Sequence, residues 1–329
     1  MKRKRKRIKM NSQPGARRRV LLALGWYDYE VNRGVAAFAR EANWILNDMA
    51  GHTHQFPLHW RCDGILVSLP RTPDPDQAKL LKRGVPVVDL RIEYPHPLPR
   101  VVLDNEAIGH IAAEHFLARG FTDYAYYQAY AGQVEEERMA GFRRTVEKAG
   151  KIFHHINMTK APAAFRRGDK RLDYLAALIK ELPKPIAVMG QYDGSASEFV
   201  VACERAGVPV PEHAAVLGAD NDPITSELGI IPLTSVDTDR YRHGYEAAAL
   251  LDRSILAVKN LHVSRALSFI WDHYPQPIQV KDVVQAAEIS RRSLFALFRQ
   301  HLGHTVMDEI TRLRVILAKK LLRSSDEKT

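Results

Sequence analysis

From Val20 onward, short apolar runs alternate with stretches whose apolar residues recur every three to four positions, the pattern of strands interleaved with amphipathic helices. Val20 to Leu24 reads as the first strand, and Val31, Val35, Phe38, Ala39 and Ala42 mark one face of the helix that follows. Gly64 to Val67 is a buried strand, and Gly84-Val85-Pro86-Val87-Val88 is a helix C-cap running into another. Val101 to Leu103 leads into a helix with Ile108, Ile111, Ala112 and Phe116 inward, closed by Gly120. Tyr124 to Tyr127, Ile186 to Met189 and Ala215 to Gly218 continue as strands. Between them lie helices marked by Phe142 and Val146, by Leu172, Leu175 and Ile179, and by Val200, Val201 and Ala206. Repeated βα units of this kind build parallel sheets covered on both faces, and these are too many for one sheet, so two linked lobes are expected.

The pattern changes in the stretch Ile278 to Leu322. Val280, Val283, Val284 and Ala287 fall at helical spacing, Glu288-Ile289-Ser290 breaks the run, and a second helix from Arg291 to Gln300 buries Leu294 and Phe298 one turn apart. Ser290 is the expected N-cap and Ile289 fills the angle, which makes a helix-turn-helix. Arg291, Arg292 and Arg299 then face outward with Ser293, where a major groove presents phosphates and guanine edges, and Phe295 and Ala296 are placed to meet thymine methyls. An ordinary helical hairpin with a solvated arginine face fits the spacing equally well.

Charge sharpens this division. With 46% apolar and 26% charged residues, the 329-residue chain has an ordinary soluble composition with room for two or three domains. Its net charge of +10 lies wholly in residues 1–19, which hold ten Lys or Arg and no Asp or Glu. Residues 262–329 hold eleven basic against seven acidic side chains, which leaves 20–261 at net −4. A basic C-terminal part beside an acidic middle suits a nucleic-acid module joined to something else. The tail MKRKRKRIKM reads as disordered, adding nonspecific phosphate affinity; the polar NSQPGARRR after it argues against a signal peptide, and Met10 offers an alternative start. A nuclear-targeting reading fits the same composition. Two cysteines, Cys62 and Cys203, give no disulfide framework and suit a reducing cytoplasm, and no apolar run is long enough to span a membrane.

Ligands of parallel sheets collect beyond the carboxyl ends of the strands. The segments expected there carry Trp26-Tyr27-Asp28, Asp104-Asn105, Asp193 and Asp220-Asn221-Asp222. Carboxylates accept pairs of hydroxyl protons and an aromatic face packs on the C–H side of a sugar ring, so the set fits a carbohydrate. Singly, each Asp or Asn is more often a helix cap or turn former. His52, His54, His59 and Cys62 share one short loop, but their spacing matches no zinc pattern, so neither metal nor cofactor is expected. Nor is there a phosphate loop, a nucleophile elbow or a catalytic carboxylate pair, and an enzyme reading has little beneath it.

The run Val101-x-x-Asp104-Asn105, then Gly109, Ala112, His115-Phe116 and Gly120, followed by Arg138-x-x-Gly141-Phe142, Asp193, Asp220, Thr234-Ser235-Val236, Gly244 and Ala247-Ala248, resembles the sugar-sensing domain of LacI/GalR-type repressors. Leu294, Phe298, Gly303 and Arg314-x-x-x-Ala318-x-x-Leu321-Leu322 are similar to AraC/XylS activators, and the two in this order resemble activators of xylose operons. The resemblance implies an α/β fold: a two-lobed type I periplasmic-binding-protein-like domain over residues 20–260, followed by an all-α helix-turn-helix domain over 261–329. It implies a clamshell closed by a sugar, with Asp104, Arg138, Asp193 and Asp220 as contacts and Asp28, Trp26 and Tyr27 beside them. A guanidinium at Arg138 forks to two sugar oxygens, or else merely pairs with Glu135 or Glu136. The expected protein is a cytoplasmic, homodimeric transcription regulator, activator or repressor, that binds DNA and senses an aldopentose such as xylose. Two departures stand out: Asn260 runs almost directly into the helix of Val263, Ala266, Leu267, Ile270 and Trp271, and the second helix-turn-helix of such activators is not found before Thr329. Two rival readings therefore stay open, a sugar-binding protein from a truncated regulator with no specific DNA site, and an enzyme using the α/β cleft.

Overall fold

The structure, a computed structural model, describes residues 17–94 and 98–326. Most of the expected basic tail, residues 1–16, and the side chains of Trp271, Leu321 and Leu322 lie outside the described residues. Residues 17–90, 98–100 and 244–326 form one compact unit, and 91–94 with 101–243 form another.

The first unit opens with β1 (Arg18–Ala23), α1 (Tyr29–Glu41), β2 (Trp44–Asn47), α2 (Met49–Thr53), β3 (Gly64–Val67), α3 (Pro75–Leu81) and β4 (Val87–Asp89). Its sheet has the order β2-β1-β3-β4 with every pairing parallel. Val20, Leu21, Leu22 and Ala23 are all buried, as a strand covered on both faces requires. Arg18 and Arg19, which composition assigns to the tail, are instead the first residues of β1. The pattern also missed β2, because its four residues bury only Trp44 and show no strand periodicity.

The second unit runs through α4 (Asn105–Leu117), β5 (Asp123–Gln128), α5 (Gln133–Lys148), β6 (Ile152–Asn157), α6 (Gly168–Glu181), β7 (Ile186–Gly190), α7 (Asp193–Ala206), β8 (Ala214–Ala219), α8 (Pro223–Glu227) and β9 (Thr234–Val236). Its sheet, β6-β5-β7-β8-β9, is parallel throughout. β5 feeds both cores: Tyr124 and Tyr126 pack with Ile108, Phe116 and Phe142, whereas Ala125 and Tyr127 pack with Leu175 and Phe199. Two expectations need correction. Residues 101–104 are not a strand, and among the described residues the ladder contact near them is a single bridge from Arg100 to Asp89. Ile111 is 52% exposed, because α4 turns Gly109, Ala112 and Ala113 inward instead.

Gly109 and Gly141 explain that rotation. A Cβ at Gly109 would sit 2.0 Å from the Arg138 carbonyl oxygen, and one at Gly141 would sit 2.0 Å from the Glu106 carbonyl oxygen. α4 and α5 therefore meet backbone to backbone, and the crossing sets where Arg138 lies.

The chain continues in α9 (Arg240–Lys259), α10 (Leu261–His273), α11 (Val280–Ala287), α12 (Arg291–Leu302) and α13 (Val306–Asp326). Asn260 takes an extended backbone and its side-chain oxygen accepts from the N–H groups of His262 and Val263 at 3.0 and 3.2 Å, so one residue ends α9 and caps α10. Val263, Ala266, Leu267 and Ile270 of α10 share a core with Val283, Ala287, Leu294, Phe298, Val306, Ile310 and Leu313. That core is joined to the first sheet within the same unit. Trp44 donates to Asp252 of α9 at 2.9 Å, Arg18 pairs with the same carboxylate at 2.9 Å, and Arg312 of α13 pairs with Glu309 and with Glu41 of α1.

Gly141→Ala is expected to force α4 and α5 apart and lower the free energy of unfolding by about 1–3 kcal/mol, measured as a fall in the urea midpoint. Gly109→Ala is expected to do the same through the opposite helix.

Candidate functional site

Arg138 projects from the second turn of α5 and is only 4% exposed. A charge so deeply placed must be paired. Its Nη2 donates to Asp220 Oδ1 at 2.9 Å, its Nε to Asn105 Oδ1 at 3.1 Å and its Nη1 to the Gln191 carbonyl at 2.7 Å. Neither Glu135 nor Glu136 is its hydrogen-bond partner. A guanidinium carries five N–H donors, and these three bonds leave two for a ligand. Asp220 Oδ1 also accepts from Thr238 at 3.3 Å, while its Oδ2 has no partner among the described residues. Donors and an acceptor thus stand side by side beyond the carboxyl ends of β7, β8 and β9.

The turn after β8 is bent to make this pair. Asp220 has φ +96° and Asn221 φ +48°, in the region that side chains other than Gly seldom occupy. Asp193, in the first turn of α7, holds the turn in place: its Oδ2 accepts from the Asp222 N–H at 2.7 Å and its Oδ1 from Ser235 Oγ at 2.6 Å. A Cβ at Gly218 would lie 2.2 Å from Asp193 Oδ1, so β8 needs a glycine there for the carboxylate to fit. Both Asp193 oxygens are therefore engaged by the protein itself.

The remaining expected sugar contacts are placed as follows. Asp104 is exposed and caps α4, accepting from the Ala107 N–H at 2.9 Å. In the first unit, Asp28 caps α1 by accepting from the Val31 N–H at 3.0 Å. Beside it, Trp26 donates its indole N–H to Ser68 at 3.2 Å and the Tyr27 ring lies tilted by 35° against His52 with centroids 4.9 Å apart. The structure thus gathers Arg138, Asp193 and Asp220 into one network in the second unit, while Asp28 and Asp104 act as caps at helix starts. Asn105, Gln191 and Thr238 complete the network. Gln191 escapes any sequence signal because it offers Arg138 a main-chain carbonyl, which every residue possesses.

On the helical segment, Ser290 Oγ accepts from the Ser293 N–H at 3.2 Å and caps α12 as expected. Leu294 and Phe298 are buried, and Ser290, Arg291, Arg292, Ser293, Ala296 and Arg299 are exposed. Glu288 supplies the left-handed turn, φ 51°, between α11 and α12. Phe295 is half-buried against the helical core, and the Arg291 guanidinium lies 5.4 Å from the centre of its ring. Among the described residues no group of three or more His, Cys, Asp or Glu is arranged to hold a metal ion, and no helix is long and apolar enough to cross a membrane.

Comparison with known proteins agrees with the fold. Residues 113–267 match the family described as a periplasmic binding protein-like domain. The xylose operon regulatory protein of Escherichia coli strain K12 is 26% identical over 91% of this chain and 85% of its own length. The transcriptional repressor PurR of Aliivibrio salmonicida is 24% identical over 68% of this chain and 65% of its own length. A solved xylose-binding transcription activator superposes with a TM-score of 0.60 at 23% identity, covering 94% of this chain and 89% of that one. The chain carries a periplasmic-binding-protein-like α/β domain with two parallel sheets, and these relatives are transcription regulators rather than enzymes.

Burial pushes the Asp193 carboxyl up from its usual 3.8 to about 6, against the opposing pull of Ser235 and the Asp222 N–H. The folded chain therefore holds this proton more tightly than the unfolded one, so the group favours folding most below pH 4 and that contribution is lost as pH rises through 6. The stability of the natural chain relative to Asp193→Asn is expected to fall by about 2 kcal/mol between pH 4 and 7, measured by urea unfolding at each pH. A pH-independent difference would contradict it.

Proposed function

We propose that this chain is a sugar-responsive, DNA-binding transcription regulator of pentose catabolism genes, with an aldopentose such as xylose as its effector. The observation that carries this is the buried Arg138–Asp220 pair, which keeps unused N–H donors beside an unused carboxylate oxygen. A sugar hydroxyl donates and accepts at once, and such a pair meets both needs. Asp193 contributes by ordering the turn that carries Asp220, and Asp104, at the start of α4 in the same unit, takes a further hydroxyl. The pentose assignment draws on the xylose operon regulator, to which similarity extends over 91% of this chain.

DNA is read by an AraC-type helix-turn-helix made of α11 and α12. Arg291, Arg292 and Arg299 engage phosphates and base edges, Ser290 and Ser293 engage the backbone at the helix start, and Phe295 and Ala296 lie against thymine methyls. The regulator works in the cytoplasm as a homodimer, which presents two such helices to paired half-sites. Sugar and DNA affinities are then linked, with a coupling of about 1–3 kcal/mol.

The two sites separate by mutation. Arg138→Ala is expected to weaken xylose binding by about 10- to 100-fold in calorimetry and to leave DNA affinity without sugar unchanged. Arg292→Ala is expected to weaken binding to a promoter fragment by about 5- to 50-fold and to leave sugar affinity unchanged. If no pentose or hexose alters promoter binding while sugars still raise thermal stability, the chain is a sugar-binding protein without a specific DNA site.

A further inference from the structure

Two aromatic side chains stand beside the Arg138 network without belonging to it. Tyr130 follows β5 by two residues and Tyr192 immediately precedes α7. Their ring planes lie within 18° of each other with centroids 6.4 Å apart, so the two faces are close to parallel. Tyr130 is 55% exposed.

The pair is held by an elaborate frame. The Arg171 guanidinium of α6 lies 5.5 Å from the centre of the Tyr130 ring and covers one face. Arg171 is buried and fixed by both carboxylate oxygens of Glu198, by the Tyr127 hydroxyl at 3.2 Å and by the Ala129 carbonyl at 3.4 Å. Gln191 Oε1 accepts from the N–H groups of Ala129 and Tyr130 at 2.7 and 3.1 Å, while the main-chain carbonyl of the same residue accepts from Arg138. One residue thereby sets the aromatic pair and the guanidinium in register. Gly194 makes room for the second ring, since a Cβ there would lie 2.7 Å from Tyr192. Arg171 is thus a buried guanidinium held by a half-buried carboxylate directly beneath an exposed ring, and fixing two long side chains there costs conformational freedom that a surface ring does not require.

We propose that Tyr130 and Tyr192 form a stacking shelf that selects the stereochemistry of the effector, a proposal that rests on the sugar-sensing reading above. A pyranose whose hydroxyls are all equatorial turns only axial C–H bonds toward its two faces, and such a face packs flat on an aromatic ring. One axial hydroxyl on that face lifts the sugar and leaves a polar group against carbon. The shelf therefore favours all-equatorial aldopyranoses, of which xylose is the pentose, over epimers such as ribose and arabinose. Arg171 acts as a positioning residue that orients the Tyr130 ring.

The test is calorimetric titration of xylose, ribose and arabinose into the full chain and its Tyr130→Ala, Tyr130→Phe, Tyr192→Leu and Arg138→Ala variants. Tyr130→Ala is expected to weaken xylose about fivefold and to shrink the xylose preference over ribose by a similar factor, while Tyr130→Phe, which keeps the ring, retains both. Tyr192→Leu is expected to follow Tyr130→Ala, and Arg138→Ala to weaken all three sugars alike. Thermal unfolding of Tyr130→Ala reports whether the exposed position leaves the fold intact. Sugar binding with an unchanged preference in both Tyr130→Ala and Tyr192→Leu overturns the shelf and leaves the sugar-sensing reading standing. No binding of any of the three sugars to the natural chain overturns both.

Discussion

A guanidinium enclosed within a domain must find its hydrogen-bond partners there, and the second unit is arranged around supplying them to Arg138. Asn105 reaches it from the start of α4, Gln191 from the end of β7 and Asp220 from the end of β8. Gln191 and Asp220 come from different loops, brought to one place because every strand of the sheet runs parallel and delivers its carboxyl end to the same side, and Asn105 joins them through the packing of α4 on α5. The approach of α4 and α5 at Gly109 and Gly141 sets the base from which Arg138 reaches, and Asp193 clamps the bent turn that aims Asp220. The same requirement gives the site its chemistry. A pair held this firmly by the protein still has unused donors and an unused oxygen, which is what a polyhydroxylated ligand needs and what a saturated structural ion pair lacks.

The first unit meets a different requirement, which is to fasten a helical segment to an α/β sheet. Its means are again buried and polar. Asp252 of α9 receives both Trp44 and Arg18, so the helix is tied to the two strands at that edge of the sheet. Glu309, almost wholly enclosed, resists ionisation through burial, yet the hydrogen bonds and charges of His304 and Arg312 outweigh this and hold its carboxylate at about 2. Arg312 also reaches Glu41, so α13 is tied to α1. Under the proposed function these ties give α12 a fixed platform from which to present Arg291, Arg292 and Arg299.

The parts of the fold legible in the sequence are those with strong local signals. The continuous apolar runs of β1, β3 and β7 announce strands buried on both faces, and Ser290 marks the start of α12 through side-chain chemistry that acts within four residues. Where local signals compete, the reading fails. Val101 to Leu103 has the composition of a strand, but only neighbouring strands can make one, and among the described residues none pairs with it. Ile111 fits a helical stripe with Ile108 and Ala112, yet α4 is turned by its glycine contact with α5, which no hydrophobic period encodes.

The candidate site divides in the same way. Sequence by itself determined that Arg138, Asp193 and Asp220 are present, that Asp193 and Asp220 follow strands of a parallel sheet and that the chain ends in a helical segment with an arginine-rich face, because periodicity and residue chemistry are local properties. Only the tertiary structure decided their roles. It makes Asp28 and Asp104 helix caps, sets Asp193 to hold a turn, gives Arg138 the partners Asp220 and Asn105 in place of Glu135 or Glu136, and adds Gln191, Thr238 and the Tyr130–Tyr192 pair. The physical reason is that a hydrogen bond depends on distance in space. Arg138 and Asp220 are 82 residues apart along the chain and 2.9 Å apart in the fold, and nothing in the spacing between them records the packing that closes that distance.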